Sequence, residues 1–220
     1  KLSIRMVWLG FSVIINHIIR PYHLFHGYWG FPGGWLATIV GKFLNRKIII
    51  SFLGAEVINL SEIKYGLFNS KSSKKRIEWV SKNVDCIIAQ SNFHAKKIQE
   101  VVAIKLLKTI YGGVNTTKFS FIEKDRKIPF QLLHVANLNE VKDQETLLRA
   151  FKIISSKINA ELHIVGVDTL NGRINNFAKE MNLSDIVFFY GLLKQEEIIP
   201  FYHNADIFLL TSLYESQAVV

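Results

Sequence analysis

The chain alternates short apolar runs with longer stretches in which apolar positions recur every three or four residues. Lys47–Phe52, Cys86–Gln90, Leu132–Ala136, Leu162–Val165, Ile186–Phe189 and Ile207–Leu210 are the short runs. Segments of this length, rich in β-branched residues and bounded by polar or small ones, read as strands buried on both faces. Within Gln144–Ile158, the residues Leu147, Leu148, Phe151 and Ile154 share one helical face, with Lys and Arg opposite. Asn171–Met181 and Gln195–Asn204 also carry a helical pattern. This strand–helix alternation predicts an α/β protein with parallel sheets covered on both faces. Met6–Ile19 is apolar but interrupted by Asn16 and His17. It is shorter than the about 20 apolar residues that a bilayer-spanning helix requires. It reads as a helix packed on the first sheet, with a membrane-surface helix as the alternative, and no secretory signal is recognisable.

Charge adds a division. The 220 residues carry a formal net charge of +9. Residues 1–126 hold 19 Lys+Arg against 7 Asp+Glu, whereas residues 127–220 hold 8 against 11. The switch coincides with the charged stretch 121–129, which ends in Pro129. Two domains are therefore expected, at 1–126 and 127–220. The basic one suits an anionic membrane surface or a phosphorylated substrate, or is a solvated lysine-rich face. The densest basic run, Lys71–Arg76, has no interleaved aromatic residues, which argues against a nucleic-acid partner. The single cysteine, Cys86, excludes an intramolecular disulfide framework and a Cys-rich metal site. Its apolar surroundings favour a buried thiol over a nucleophile.

Four stretches carry candidate chemistry. In His26–Trp35 the Gly33-Gly34 pair, ahead of an apolar helix, makes either an anion-binding helix start or a tight strand-to-helix turn, and His26 is either catalytic or structural. After the Lys47–Phe52 strand, Glu56 binds a polar ligand or caps the next helix. In His134–Gln144, Lys142 precedes a helix, where an ammonium group and the helix dipole would together favour a phosphate. The alternative there is Asp143 as N-cap and Lys142 as a solvated side chain. The fourth is Glu215, past the Ile207–Leu210 strand and the small residues Thr211-Ser212. Ligands of open α/β sheets sit beyond the carboxyl ends of strands.

Taken in order, these stretches resemble the retaining glycosyltransferases of family 4, the group 1 glycosyltransferases, from about Tyr22 to Val220. The resemblance is carried by His26-Gly27-Tyr28-Trp29, Leu53-Gly54-Ala55-Glu56, Ala89-Gln90-Ser91 and Gly112-Gly113-Val114-Asn115 in the first half. In the second half it is carried by Ala136–Lys142 with Thr146–Phe151, then Leu162–Gly166, Val187–Gly191, Tyr202–Asp206 and Ser212–Glu215. It implies the GT-B fold: two Rossmann-like parallel-sheet domains facing a cleft, both incomplete here. It further implies transfer of a sugar, with retention, from a UDP- or GDP-sugar to a glycan or lipid-linked acceptor in cell-surface polysaccharide assembly.

On the same resemblance, Lys142 and Glu215 are the catalytic residues. Lys142 would neutralise the diphosphate and Glu215 would bind sugar hydroxyls. Asn137, the main chain at Gly191 and Leu192, and the amides of Ser216, Gln217 and Ala218 would complete the donor site. His26, Gly33, Gly34, Glu56 and Ser91 would lie on the acceptor side. No metal or cofactor is implied, and the location would be cytoplasmic, at the inner membrane face. Glu215 would be the first member of a Glu-x7-Glu pair whose second member would lie beyond Val220. The 220 residues alone would then be inactive. Two positions depart from the family: Leu53 stands where many members have histidine, and Asn137 where an arginine usually joins the lysine. Other GT-B enzymes, a nucleotide-sugar epimerase or an inverting transferase, are the alternatives, as is a catalytically degenerate nucleotide-sugar-binding protein.

Overall fold

A computed structural model describes residues 4–125 and 128–220. The chain forms two compact units, Lys1–Gly112 with Ser216–Ala218, and Gly113–Glu215 with Val219–Val220. The boundary expected at residues 126 and 127 itself lies outside the described residues. Residues 113–124 group with the second unit for an identifiable reason. Lys118 pairs with Glu196 at 2.7 Å, Lys124 pairs with Asp206 at 3.0 Å, and Phe119 meets Tyr202 edge-on at 5.7 Å.

The first unit runs α1 (Ile4–Ile19), β1 (Leu24–Tyr28), α2 (Trp35–Phe43), β2 (Lys47–Ser51), α3 (Lys71–Asn83), β3 (Cys86–Ala89), α4 (Asn92–Val101) and β4 (Leu107–Thr109). Its strands are all parallel, in the order β1-β2-β3-β4. Ile48, Ile50, Phe52, Ile87 and Ala89 fill the core with Ile77 and Val80 of α3 and Ile98 of α4. Cys86 is half-buried, and burial raises its thiol pKa.

The second unit runs β5 (Phe130–Val135), α5 (Gln144–Ser155), β6 (Ala160–Val165), α6 (Arg173–Glu180), β7 (Val187–Phe189), α7 (Gln195–Asn204) and β8 (Ile207–Phe208). The parallel order is β7-β6-β5-β8. Successive residues of β5 serve opposite faces, as the pleat requires. Leu132 packs with Leu147, Leu148 and Phe151 of α5, whereas Leu133 packs towards Ile198 and Phe201 of α7. The order places β5 in the middle, with connections leaving to opposite sides. Its carboxyl end, beside that of β8, is therefore the sheet's topological switch point, where such sheets hold ligands.

One buried group makes the first unit sensitive to acid. His94 on α4 is fully buried; its Nδ1 accepts the Gln90 N–H at 3.4 Å, and its Nε2 has no partner among the described residues. Desolvation lowers its pKa to about 4. The unfolded ring takes a proton near pH 6.5, so the native state holds fewer protons between these values. Stability from this group is complete above pH 6.5 and falls as pH drops through about 4, by about 3 kcal/mol at most. In His94→Asn, whose side-chain oxygen can replace Nδ1 as acceptor, that slope should disappear from urea melts recorded between pH 4 and 7. A slope equal to wild type would refute the assignment.

Candidate functional site

The carboxyl ends of β5, β6, β7 and β8 converge on one edge of the second sheet. From β5 the chain passes Asn137 and a single 3-10 turn, Glu140–Lys142, to α5. Asn139 begins the turn, its side chain accepting the Lys142 N–H at 3.2 Å. Asp143 then adopts a left-handed conformation, φ 47°, and its carboxylate caps α5 by accepting the Thr146 N–H at 3.2 Å. The sharp bend at Asp143 separates the lysine from the helix it precedes, so Lys142 projects from the loop.

The loop after β8 is fastened to this one. Thr211 Oγ1 donates to the carbonyls of Lys142 and Asp143, at 3.1 and 2.9 Å. The Leu213 N–H donates to the carbonyl of Val141 at 2.8 Å. Lys142 Nζ forms an ion pair with Glu215 Oε1, and Ser212 Oγ donates to the same oxygen at 2.8 Å. The two side chains are only 22% and 27% exposed, so the pair is shielded yet reachable. Two sequence-predicted site residues, 73 positions apart, thus meet at the switch point.

A buried histidine braces the arrangement. His134, on β5, has no exposed surface. Its Nδ1 lies 2.9 Å from the Leu209 carbonyl, and a carbonyl only accepts, so Nδ1 carries the proton. Nε2 then accepts from Gln144 Nε2 at 3.2 Å, and the same amide reaches the Asn137 carbonyl at 3.1 Å. Desolvation is the main cause of the ring's lowered pKa, the Leu209 carbonyl opposes it, and the Lys142 charge reinforces it. His134 and Gln144 were not predicted as functional. The signal was present: a histidine inside Leu-Leu-His-Val, where a buried polar group must find partners.

The other donor-side positions share the edge but are occupied structurally. Asn137 Oδ1 accepts the Val167 N–H at 3.2 Å. Gly191 has φ 66°, its carbonyl accepts the Gly166 N–H at 2.9 Å, and the next residue, Leu192, is 79% exposed. Ser216–Ala218 group instead with the first unit. There Ser216 Oγ donates to the Leu53 carbonyl at 2.7 Å, and Gln217 Oε1 accepts the Gly112 N–H at 2.7 Å.

The acceptor-side candidates lie around the carboxyl ends of β1, β2 and β3. His26 Nε2 is 2.9 Å from Ser51 Oγ, and the ring stacks on Tyr28. The Gly34 N–H donates to the Trp29 carbonyl at 2.7 Å, and a Cβ on Gly34 would come within 2.4 Å of that oxygen. Ser91 caps α4, accepting from the His94 N–H at 3.0 Å, while its hydroxyl donates to the Ser216 carbonyl. Glu56 is fully buried. Its carboxylate accepts N–H groups of Gly30, Leu53 and Gly54 at 3.3, 2.9 and 2.7 Å, while desolvation raises its pKa. It joins two loops across the sheet edge rather than presenting a carboxylate outward. Glu56→Gln replaces one accepting oxygen with an N–H2 facing the Gly54 N–H. A loss of about 2 kcal/mol is expected in chemical denaturation. An unchanged midpoint would show that the acid is carried protonated. Among the described residues, no group of three His, Cys, Asp or Glu side chains is placed to hold a metal ion.

Residues 115–220 match the group 1 glycosyl transferases. The N-acetyl-alpha-D-glucosaminyl L-malate synthase of Bacillus anthracis is 30% identical over 211 residues, covering 90% of this chain and 52% of that protein. Among solved structures, sucrose-phosphate synthase of Thermosynechococcus elongatus superposes with a TM-score of 0.79 at 20% identity, covering 96% of this chain and 55% of that one. Anabaena HepE, solved with UDP and glucose, superposes with a TM-score of 0.72 at 16% identity, covering 93% and 56%. The fold is GT-B. The chain spans about half the length of the Bacillus anthracis relative and of these two structural neighbours.

Proposed function

We propose that the second unit is the donor-binding part of a retaining glycosyltransferase. On this reading it moves a sugar from a UDP- or GDP-sugar to a glycan or lipid-linked acceptor in cell-surface polysaccharide or glycolipid assembly, without a metal cofactor. The observation that carries the proposal is the Lys142–Glu215 pair at the β5–β8 switch point. As the glycosidic bond breaks, the leaving diphosphate gains negative charge. An ammonium group held beside it binds the transition state more strongly than the ground state, which is what lowers a barrier. Glu215 supplies a carboxylate for hydroxyls of the donor sugar. The Anabaena neighbour, with UDP and glucose bound, supports a nucleotide sugar as ligand, and the Bacillus relative's name records an acidic acceptor. The basic composition of residues 1–126 suits such an acceptor, or a cytoplasmic membrane face that presents one.

The test is Glu215→Gln in the full-length protein. UDP or GDP affinity should be retained, while transfer from the matching nucleotide sugar falls about a hundredfold. Undiminished transfer would refute the role. A catalytically degenerate binder is the second reading, favoured by the use of Asn137 in backbone contacts where the family has a cation. Nucleotide binding without any turnover by the wild-type full-length protein would establish it.

A further inference from the structure

We infer that Arg173 is a positioning residue for Lys142: its one guanidinium holds the chain on both sides of the lysine and so fixes where the ammonium group projects. The inference rests on the donor-site role proposed for Lys142 and adds the part that sets its direction. Lys142 stands between Glu140, in the 3-10 turn, and Glu145, in the first turn of α5. Arg173 Nη1 and Nη2 donate to the two carboxylate oxygens of Glu140, both at 2.7 Å. Its Nε lies 3.4 Å from Glu145 Oε1. The main chain bends sharply between these two carboxylates, at Asp143 with φ 47°. A guanidinium that joins the two arms of a bend closes it as a clasp. Three donors in a rigid plane suit that task, whereas a lysine there would offer a point charge without the fork.

Arg173 reaches these carboxylates from a fixed base. It is the first residue of α6, and the Asp168 carboxylate holds the approach to that helix by accepting the N–H groups of Leu170 and Gly172 at 2.7 and 2.5 Å. The loop between β6 and α6 is bonded in turn to the loop that carries Lys142. The Leu138 N–H donates to the Val167 carbonyl at 2.8 Å, and the N–H and Oγ1 of Thr169 donate to the Leu138 carbonyl at 3.1 and 2.6 Å. Stability does not explain the clasp. The three side chains are 39–46% exposed, and ion pairs so exposed contribute little. The first turn of a helix is also a poor place for a cation, because the positive end of the helix dipole lies there. The placement does serve the lysine. It fixes the bend from which Lys142 projects, and it offsets two negative charges that would otherwise repel an anionic ligand beside it. The Arg173 fork holds the Glu140 carboxyl below the usual carboxylate range, and Glu140 raises the guanidinium in return.

The test is a mutant cycle in the full-length protein, read by calorimetric titration with UDP and GDP. The free nucleotide carries the charge that the leaving group acquires, so its affinity reports on the lysine whether or not turnover is detected. Arg173→Gln should weaken binding of the nucleotide that the wild type holds by about tenfold, and kcat should fall at least as far. Arg173→Lys, which keeps the charge without the fork, should lose about threefold. In a Lys142→Ala background the same Arg173→Gln change should cost less than about twofold, because no lysine remains to be positioned. Equal losses in the two backgrounds would mark Arg173 as merely structural and overturn the inference. Wild-type affinity in Arg173→Gln overturns it too, as does wild-type affinity in Arg173→Lys, which would show that charge alone is needed. If urea melts show that Arg173→Gln does not fold, Arg173→Lys takes its place in the cycle. Lys142→Ala with undiminished nucleotide affinity and turnover would instead refute the donor-site role of the lysine, a result that involves no change at Arg173.

Discussion

Lys142→Ala in the full-length protein should lower the rate of sugar transfer by about 10²- to 10³-fold, the range for removing one preorganised charge from a transition state. The loss should fall mainly on kcat, because the leaving diphosphate is more negative in the transition state than in the bound donor. Lys142→Arg should recover part of it, since the charge is kept while the compact ammonium geometry is not. Removing the lysine also leaves Glu215 partly shielded beside Ser212 without its cation. Nucleotide affinity should therefore be measured alongside turnover. A variant with wild-type kcat and KM would show that Lys142 serves only as a structural partner of Glu215.

Gly166→Ala should destabilise the second unit by about 3 kcal/mol or more, from backbone strain and overlap combined. Gly166 has φ 152°, which a residue with a Cβ rarely adopts, and that Cβ would lie 2.0 Å from the Ala136 carbonyl oxygen. Neither β6 nor the Ala136–Asn137 main chain can shift freely, because the Ala136 N–H is bonded to the Val165 carbonyl and the Leu138 N–H to that of Val167. The urea midpoint of the second unit should drop, with the loop between β5 and α5 loosened in parallel. A midpoint equal to wild type would mean that the crossing of these two strand ends is softer than its geometry indicates.

Much of this arrangement is legible in the sequence, for reasons that particular residues make plain. All six apolar runs became strands within two residues of their expected bounds, and Gln195–Asn204 formed the helix expected. The signal is strongest for β2, β3, β5 and β6, which lie inside their sheets with a strand on each side. Edge elements were harder to see. β4 has only three residues, and α3 begins in a lysine-rich stretch whose helical face depends on Ile77 and Val80 further along. Charge composition also does not reveal that Lys118 and Lys124 bind Glu196 and Asp206, which ties residues 113–124 to the second unit. In the candidate site, residue types were visible but their uses were not. Glu56 and Asn137 read as polar groups after strands, and only folding shows that backbone N–H groups occupy them. The His134–Gln144–Leu209 connection joins positions that no local pattern links.

The strand order also bears on how the protein is made. During synthesis β5, β6 and β7 emerge in succession, and each can pair with the one before it. β8 emerges after β7, yet takes its place beside β5, closing a long loop at an entropic cost that nearer pairings avoid. The Glu215 carboxylate follows β8 in the chain. A nascent chain on the ribosome can therefore pair β5, β6 and β7 before it has both halves of the Lys142–Glu215 charge pair.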